Sequence, residues 1–473
     1  MRNWLSRWTP HWRPGLLALM VLGPLFFITY GGANQWAADQ AEVPSIVFAW
    51  ERHIPLLPWT ILPYWSIDLF YGLSLLMAPS LFLLRRHVLR LLTAQFVSVG
   101  CFVLWPLRFS TSRPALDGWE GVLFDALASF DLPYNQAPSL HIVLLVVLWD
   151  FYRRLLKGGW RWLLHGWSAL IAVSVLTTYQ HHFIDVPTGM LVGAFCLWLW
   201  PLQGDVPWLA AKPPRGRRHA QLTMAYAAGA VALAWLALAL GSSWSRVAWW
   251  LMWPAVACLL VALGYGGWGP AVFQKHPHGR HAAASRWLLA PHRWMAWLNA
   301  RAWTWRWPAS VPVVDGVWLG RLPLPWEADH RQFNTLVDVT AELDAGHPGV
   351  HAVPMLDLHV PDSARLREAA ELVELLLAQP RGQVLVACAL GVSRSAAVVV
   401  TWLYLTGRAA SVDAACDMVR RVRPQVRLSP LWLGCIGQAV ASPPTSDEGA
   451  SDPAAALVCA PQPGGVCVPE PGP

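Results

Sequence analysis

A cysteine and an arginine with five residues between them stand in residues 384–395, VLVACALGVSRS. Residues 384–386 are an apolar run that reads as a short buried strand. A longer apolar, helix-compatible run follows at residues 395–405. The loop between them therefore places Cys388 and Arg394 at a helix N-terminus. Unpaired N–H groups and the positive end of the helix dipole favour an anion there. The same field favours a thiolate at Cys388, and a thiolate is a nucleophile. Arg394 offers phosphate a planar fork of donors. Gly391 allows the loop to turn so that the backbone of Ala389, Leu390, Gly391, Val392 and Ser393 faces inward and cradles a phosphate with Arg394. Ser395 is placed to donate a hydrogen bond to the sulfur as it leaves.

A second set of chemistry-bearing residues lies far upstream. Arg113-Pro114, then Asn135 to His141, then Tyr179 to Asp185 each flank an apolar run. Asp185 follows His181 by four positions, the spacing at which two side chains meet on one helical face. Ionisable residues at membrane depth are costly and point to function. The chemistry such a set supports is phosphoryl transfer. One histidine attacks phosphorus, a carboxylate orients that imidazole, and another histidine protonates the leaving oxygen. His181, Asp185 and His141 are the candidates. His182 reads instead as a packing or hydrogen-bonding neighbour.

The first set resembles the cysteine-dependent phosphatases, in particular their small dual-specificity branch, whose signature is His-Cys-x5-Arg-Ser/Thr. Cys388, Arg394 and Ser395 match it, and Ala387 stands where the family has histidine. The resemblance covers residues 313–436 and implies a phosphocysteine intermediate. It also implies a general acid on a loop about thirty residues before the cysteine. Asp357, 31 positions before Cys388, is favoured over Asp362, 26 before it. Asp338 and Glu342 read as structural. The absence of Lys or Arg inside the loop favours a singly phosphorylated substrate over a highly charged one.

The second set resembles the type 2 phosphatidic-acid phosphatase superfamily. Pro138-Ser139-Leu140-His141 fits its Pro-Ser-x-His motif, His181 and Asp185 fit its His-x3-Asp ending, and Arg113-Pro114 fits the end of its first motif. Pro106 stands at that motif's lysine and Val175 at the arginine of the third. These departures are similar to the sphingolipid head-group and inositol-phosphoryl transferase branch. The resemblance implies His141, His181 and Asp185 as catalytic, with Arg113 and Ser139 on phosphate. Hydrolysis and head-group transfer both fit.

The composition says what must position these residues. The chain is 473 residues long, 55% hydrophobic and 13% charged, against roughly 25% charged in a soluble domain. It carries 32 tryptophans, a residue that favours membrane interfaces. The net charge of +7 does not point to nucleic acid, because the basic residues form short clusters between apolar runs. That is the positive-inside pattern. The cysteines show neither a disulfide framework nor metal-ligand spacing, so no metal and no cofactor are expected.

Eight apolar runs read as spans, at residues 15–30, 61–84, 91–107, 138–151, 162–179, 184–202, 222–240 and 247–268. The first reads as a retained span, not a signal peptide. Eight spans put both termini in the cytoplasm, with the histidine set on the outer face. The expected order is a polytopic all-α membrane bundle (1–269) and a basic, Trp-rich interfacial linker (270–310). An α/β cysteine-phosphatase domain with a central sheet flanked by helices follows (311–441), then a disordered tail rich in Pro, Ala and Gly (442–473). Within the third region, strands are expected at 335–339, 350–358 and 384–386, a strand–turn–strand around Asp315-Gly316, and helices at 363–377 and 411–422. The pattern suggests a bacterial inner membrane. The expected partners are the bilayer and a phospholipid or phosphoprotein substrate. Two other functions fit the residues: a head-group transferase regulated by its phosphatase domain, and a phosphate-binding module.

Overall fold

Each apolar run of the first 273 residues forms helix. The computed structural model describes residues 11–204, 206–209, 211–213, 216–243, 246–323, 327, 333–380 and 382–441. The tail expected at 442–473 lies outside the described residues. The bundle contains α1 (Trp12–Ala38), α2 (Ile61–Leu76), α3 (Leu81–Leu104), α4 (Gly118–Ala128), α5 (Leu140–Leu155), α6 (Gly159–Thr177), α7 (Asp185–Leu199), α8 (Arg217–Ser243) and α9 (Met252–Leu263). Four stretches are long and apolar enough to cross a membrane: Trp12–Ala38, Leu81–Leu104, Arg217–Gly241 and Val247–Phe273. The other four expected runs, α2, α5, α6 and α7, are helices of 15 to 19 residues.

Two details differ from the sequence reading. The basic run at 85–90 lies inside α3 and does not end a span. Ser80 caps that helix, accepting the Leu83 N–H at 3.2 Å, so the arginines occupy its first turns. The loop at 108–137 contains the short helix α4.

Tight packing gives the bundle two distinct ends. α7 lies flush on α5 because Gly189 and Gly193 have no side chain. A Cβ there would sit 2.8 Å from Ile142 and 2.6 Å from Val146, and small residues permit this approach. At one end Arg90 pairs with Asp150 at 2.9 Å and donates to the Trp200 carbonyl. Arg153 and Arg154 complete that cluster. His141, His181 and His182 lie at the opposite end.

The second body is a five-stranded mixed sheet of order β1-β2-β5-β3-β4. Its strands are β1 (Ser310–Val314), β2 (Val317–Arg321), β3 (Thr335–Thr340), β4 (Val350–Met355) and β5 (Val384–Cys388). β1 and β2 form the expected hairpin, with Asp315 and Gly316 at φ +50° and +83°. That left-handed pair matches the right-handed twist of the strands. The remaining neighbours run parallel. β3 and β5 are buried along their whole length, which is why β5 reads as an unbroken apolar run. Helices α12 (Ser363–Leu377), α13 (Arg394–Leu405), α14 (Val412–Val422) and α15 (Pro430–Ala441) cover the sheet. α13 is nearly all buried.

The stretch 270–310, which reads in sequence as an interfacial linker, packs against this body. A bridge between Lys275 and His281 forms a small hairpin, and its Pro277 and Gly279 carbonyls accept from Ala352 and Ala345. Lys275 is fully buried, with Nζ 2.5 Å from Asp338 Oδ2 and 2.7 Å from the Thr340 carbonyl. Its charge reads as basic surface in sequence because its partner lies on a distant strand. After α10 (Ala283–Leu288), α11 (Ala290–Thr304) turns Ala300 into the core and leaves Trp294, Trp303 and Trp305 exposed.

Removing Lys275 would strand a buried carboxylate, a change that destabilises by roughly 3–5 kcal/mol. Lys275→Met in the full chain should lower the unfolding midpoint of the sheet domain, and adding Asp338→Asn should restore much of it. An unchanged midpoint in Lys275→Met would contradict the burial.

Candidate active site

The strand-to-helix turn after β5 is held in shape from three sides. Gly391 has φ +68°, and a Cβ there would lie 2.5 Å from the backbone of Gly320. Only glycine fits this close approach. Arg423, buried, donates to the Leu390 carbonyl at 3.1 Å and to the Pro308 carbonyl at 3.2 Å. The Ser393 hydroxyl donates to the Arg427 carbonyl at 3.0 Å, and Arg427 N–H returns to the Val392 carbonyl. Arg321, buried beside the turn, forms a two-point pair with Glu327 at 2.6 and 2.7 Å.

Within this turn the Cys388 sulfur accepts the Gly391 N–H at 3.2 Å and the Ser395 hydroxyl at 3.2 Å. Ser395 therefore stands where the sequence places it. Arg394 is buried. Its Nη1 donates to Glu342 Oε2 at 2.9 Å and to the Met355 carbonyl at 2.9 Å. Its Nη2 donates to Glu342 Oε1 at 2.7 Å and lies 3.1 Å from Asp357 Oδ1. Burial opposes charge on Glu342, but the Arg394 guanidinium outweighs it and holds that carboxyl down to about 2. In turn Asp357 and Glu342 push Arg394 well above its ordinary value, against the effect of burial.

Glu342 corrects the sequence reading. It is not generic structure but the group that orients the arginine. Asp357 reaches the arginine and is partly exposed, as a proton donor to substrate requires. Asp362 does not reach it. It precedes α12 and lies 3.9 Å from Lys212 at the surface.

The histidine set also assembles, at the far end of the bundle. His181 Nδ1 lies 3.1 Å from Asp185 Oδ2, and the same oxygen accepts the His182 N–H at 3.0 Å. His141 is within electrostatic reach of His181 and stacks on Tyr64 with centroids 3.9 Å apart. Its Nε2 meets the Tyr64 carbonyl at 2.8 Å. Arg113 lies over the Phe124 ring at 4.4 Å and within electrostatic reach of Tyr64. Ser139 is fully buried; its hydroxyl caps α5 and its N–H donates to the Asp185 carbonyl. It therefore joins the two motif helices. His182 turns away to Glu51 at 2.9 Å and accepts the Ser110 N–H at 3.1 Å. Asp131, which carries no motif, also approaches His181 and is held by Tyr30 at 2.8 Å. Glu51 carries no local signal, because it meets His182 only through the fold.

The depressed Glu342 sets a pH window. Its folded-state value lies below the ordinary 4.5. The stabilisation from the Glu342–Arg394 pair is therefore full above about 4.5 and is lost as pH falls toward about 2. Wild type should lose more stability than Glu342→Gln across this window, measured by unfolding midpoints at stepped pH. A constant gap between the two proteins from about pH 5 to 2.5 would contradict the coupling.

Residues 325–436 match the family described as dual specificity phosphatase, catalytic domain. No curated protein matches the chain. Solved structures similar to it include Tk-PTP in its active form, at 23% identity over 28% of this chain and 97% of that one, with a TM-score of 0.25. Human DUSP28 is similar at 26% identity over 28% and 93%, with a TM-score of 0.26. PTPMT1 in complex with PI(5)P is similar at 18% identity over 28% and 95%, with a TM-score of 0.25. The strand–loop–helix turn with its cysteine, arginine and serine, together with the matched residues, makes the C-terminal domain a dual specificity phosphatase catalytic domain, whose chemistry is hydrolysis of phosphoesters.

Proposed function

We propose that the chain is an integral membrane phosphatase whose sheet domain removes phosphate from a monoester presented beside the bilayer. The observation that carries this reading is the joint placement of Cys388, Arg394 and Asp357 around one turn. The Cys388 sulfur attacks phosphorus while the bond to the leaving oxygen breaks. Asp357 gives its proton to that oxygen. Arg394, held by Glu342, takes two phosphate oxygens on its fork and lets go of Asp357 as they arrive. Water then attacks the phosphocysteine, Asp357 takes a proton from it, and Ser395 donates to the departing sulfur.

The favoured substrate class is a singly phosphorylated lipid. Support comes from the neutral loop interior at 389–393 and from the contact between Asp357 and Tyr265, at the end of an apolar stretch long enough to cross a membrane. The exposed tryptophans of α11 fit the cytoplasmic surface of a bilayer. A phosphoprotein is the alternative. The Tyr265 hydroxyl on the Asp357 carbonyl brings the loop that carries the acid against the bundle.

A second reading concerns the far end of the bundle. The His181–Asp185 pair with His141 nearby favours a phosphohistidine site on the outer face, acting on lipid phosphate by hydrolysis or by head-group transfer. In that case the two sites serve opposite leaflets.

Vesicles carrying lipid phosphates separate these readings. Cys388→Ser should lower phosphate release on the sheet-domain side by at least about 10³-fold, and His181→Ala should leave that release intact. Labelled head group on a new acceptor lipid, lost in His181→Ala, would favour transfer. Undiminished release in Cys388→Ser would refute the thiol mechanism, and absence of any vanadate binding would favour a module without catalysis.

A further inference from the structure

We propose that Tyr265 of the membrane bundle is a positioning residue for the acid Asp357, so that the bundle completes the phosphatase site. The inference rests on the reading of Asp357 as general acid. Tyr265 lies just past α9, and its hydroxyl donates to the Asp357 carbonyl at 2.9 Å, across 92 residues of sequence. The next residue, Leu358, has φ +56° and is exposed. Leucine rarely adopts that backbone, so neighbouring contacts must hold it.

Those contacts come in part from the bundle side. The Tyr265 hydroxyl grips the residue before Leu358. His219 of α8 packs on His359, the residue after it, with ring centroids 3.7 Å apart. Tyr265 is itself fixed by stacking on Tyr226 of α8 at 5.5 Å, and Tyr226 meets His292 of α11 at 3.3 Å. On the sheet-domain side, Arg394 meets Asp357 at 3.1 Å and the Cys435 thiol donates to the Pro361 carbonyl at 3.4 Å.

The acid's task depends on the leaving group. When phosphorus passes to the Cys388 sulfur, the leaving oxygen needs the Asp357 proton if it is an alkoxide, and hardly needs it if it is a stable phenolate. In the phosphocysteine-forming step, which kcat/KM reads, a Tyr265 that acts through Asp357 therefore matters for alkyl phosphates and not for activated aryl phosphates. A purely structural role would affect both alike.

The test uses the full chain in lipid nanodiscs, with a phosphoserine peptide and a short-chain phosphatidic acid as alkyl substrates and 2,4-dinitrophenyl phosphate as the aryl one. Tyr265→Phe should lower kcat/KM about tenfold on the alkyl substrates and leave kcat/KM on dinitrophenyl phosphate within about twofold. In an Asp357→Asn background the same change should add nothing. The alkyl-to-aryl ratio does not depend on the fraction of folded enzyme. An unchanged ratio in Tyr265→Phe, with Cys388→Ser inactive, overturns this inference and leaves the thiol mechanism standing. Full alkyl activity in Cys388→Ser overturns both.

Discussion

A buried guanidinium needs a buried carboxylate, and that need organises the catalytic end of the chain. Arg394 at the start of α13 is enclosed, so its charge has no water to face. Glu342 answers it with two hydrogen bonds, at 2.7 and 2.9 Å. A pair this deep adds little net stability over an apolar pair of the same shape, but loss of one partner is severe. What the pair supplies is direction: it points the arginine fork, with Met355 as a third contact. The cysteine turn, the acid and the helix N-terminus are all referred to that one group.

The same logic extends outward to the bundle. The loop that carries Glu342 is gripped by the segment before the sheet domain. Arg293 donates to the Glu342 carbonyl at 3.2 Å and to Asp344, and His281 also meets Asp344. Lys275 neutralises Asp338 on the strand that leads into this loop. The body responsible for phosphoester chemistry therefore begins well before its first strand. A cut at residue 311 would leave Asp338 buried and uncompensated, and would remove the groups that hold the Glu342 loop.

Two clusters of polar side chains sit at opposite ends of the molecule. One uses a sulfur at a helix N-terminus with an arginine; the other pairs imidazoles with a carboxylate at helix ends. They solve the positioning problem in different ways. At the turn after β5, the Gly391 N–H and the Ser395 hydroxyl meet the sulfur at the start of α13. At the end of the bundle, close helix packing through Gly189 and Gly193 sets Asp185 beside the start of α5, because a membrane interior has few loops to spare.

Several of these features were legible in the residues alone, and the reason is locality. Cys388, Arg394 and Ser395 belong to one turn, so spacing and the strand-to-helix change of pattern were enough to place them. His181 and Asp185 are four apart, so their contact was legible as well. The eight apolar runs and the hairpin at Asp315-Gly316 are likewise short-range signals. What only the tertiary structure decided are contacts across long stretches of chain. Glu342 meets Arg394 across 52 residues, Lys275 meets Asp338 across 63, and Tyr265 meets Asp357 across 92. In sequence each of these looks like an ordinary charged or aromatic residue. Spacing already favours Asp357 over Asp362, and the folded loop brings Asp357 to the arginine and leaves Asp362 at the surface beside Lys212. Spacing along the chain determines which groups a single turn can hold together, whereas a buried charge finds its partner only when the distant strands and helices close around it.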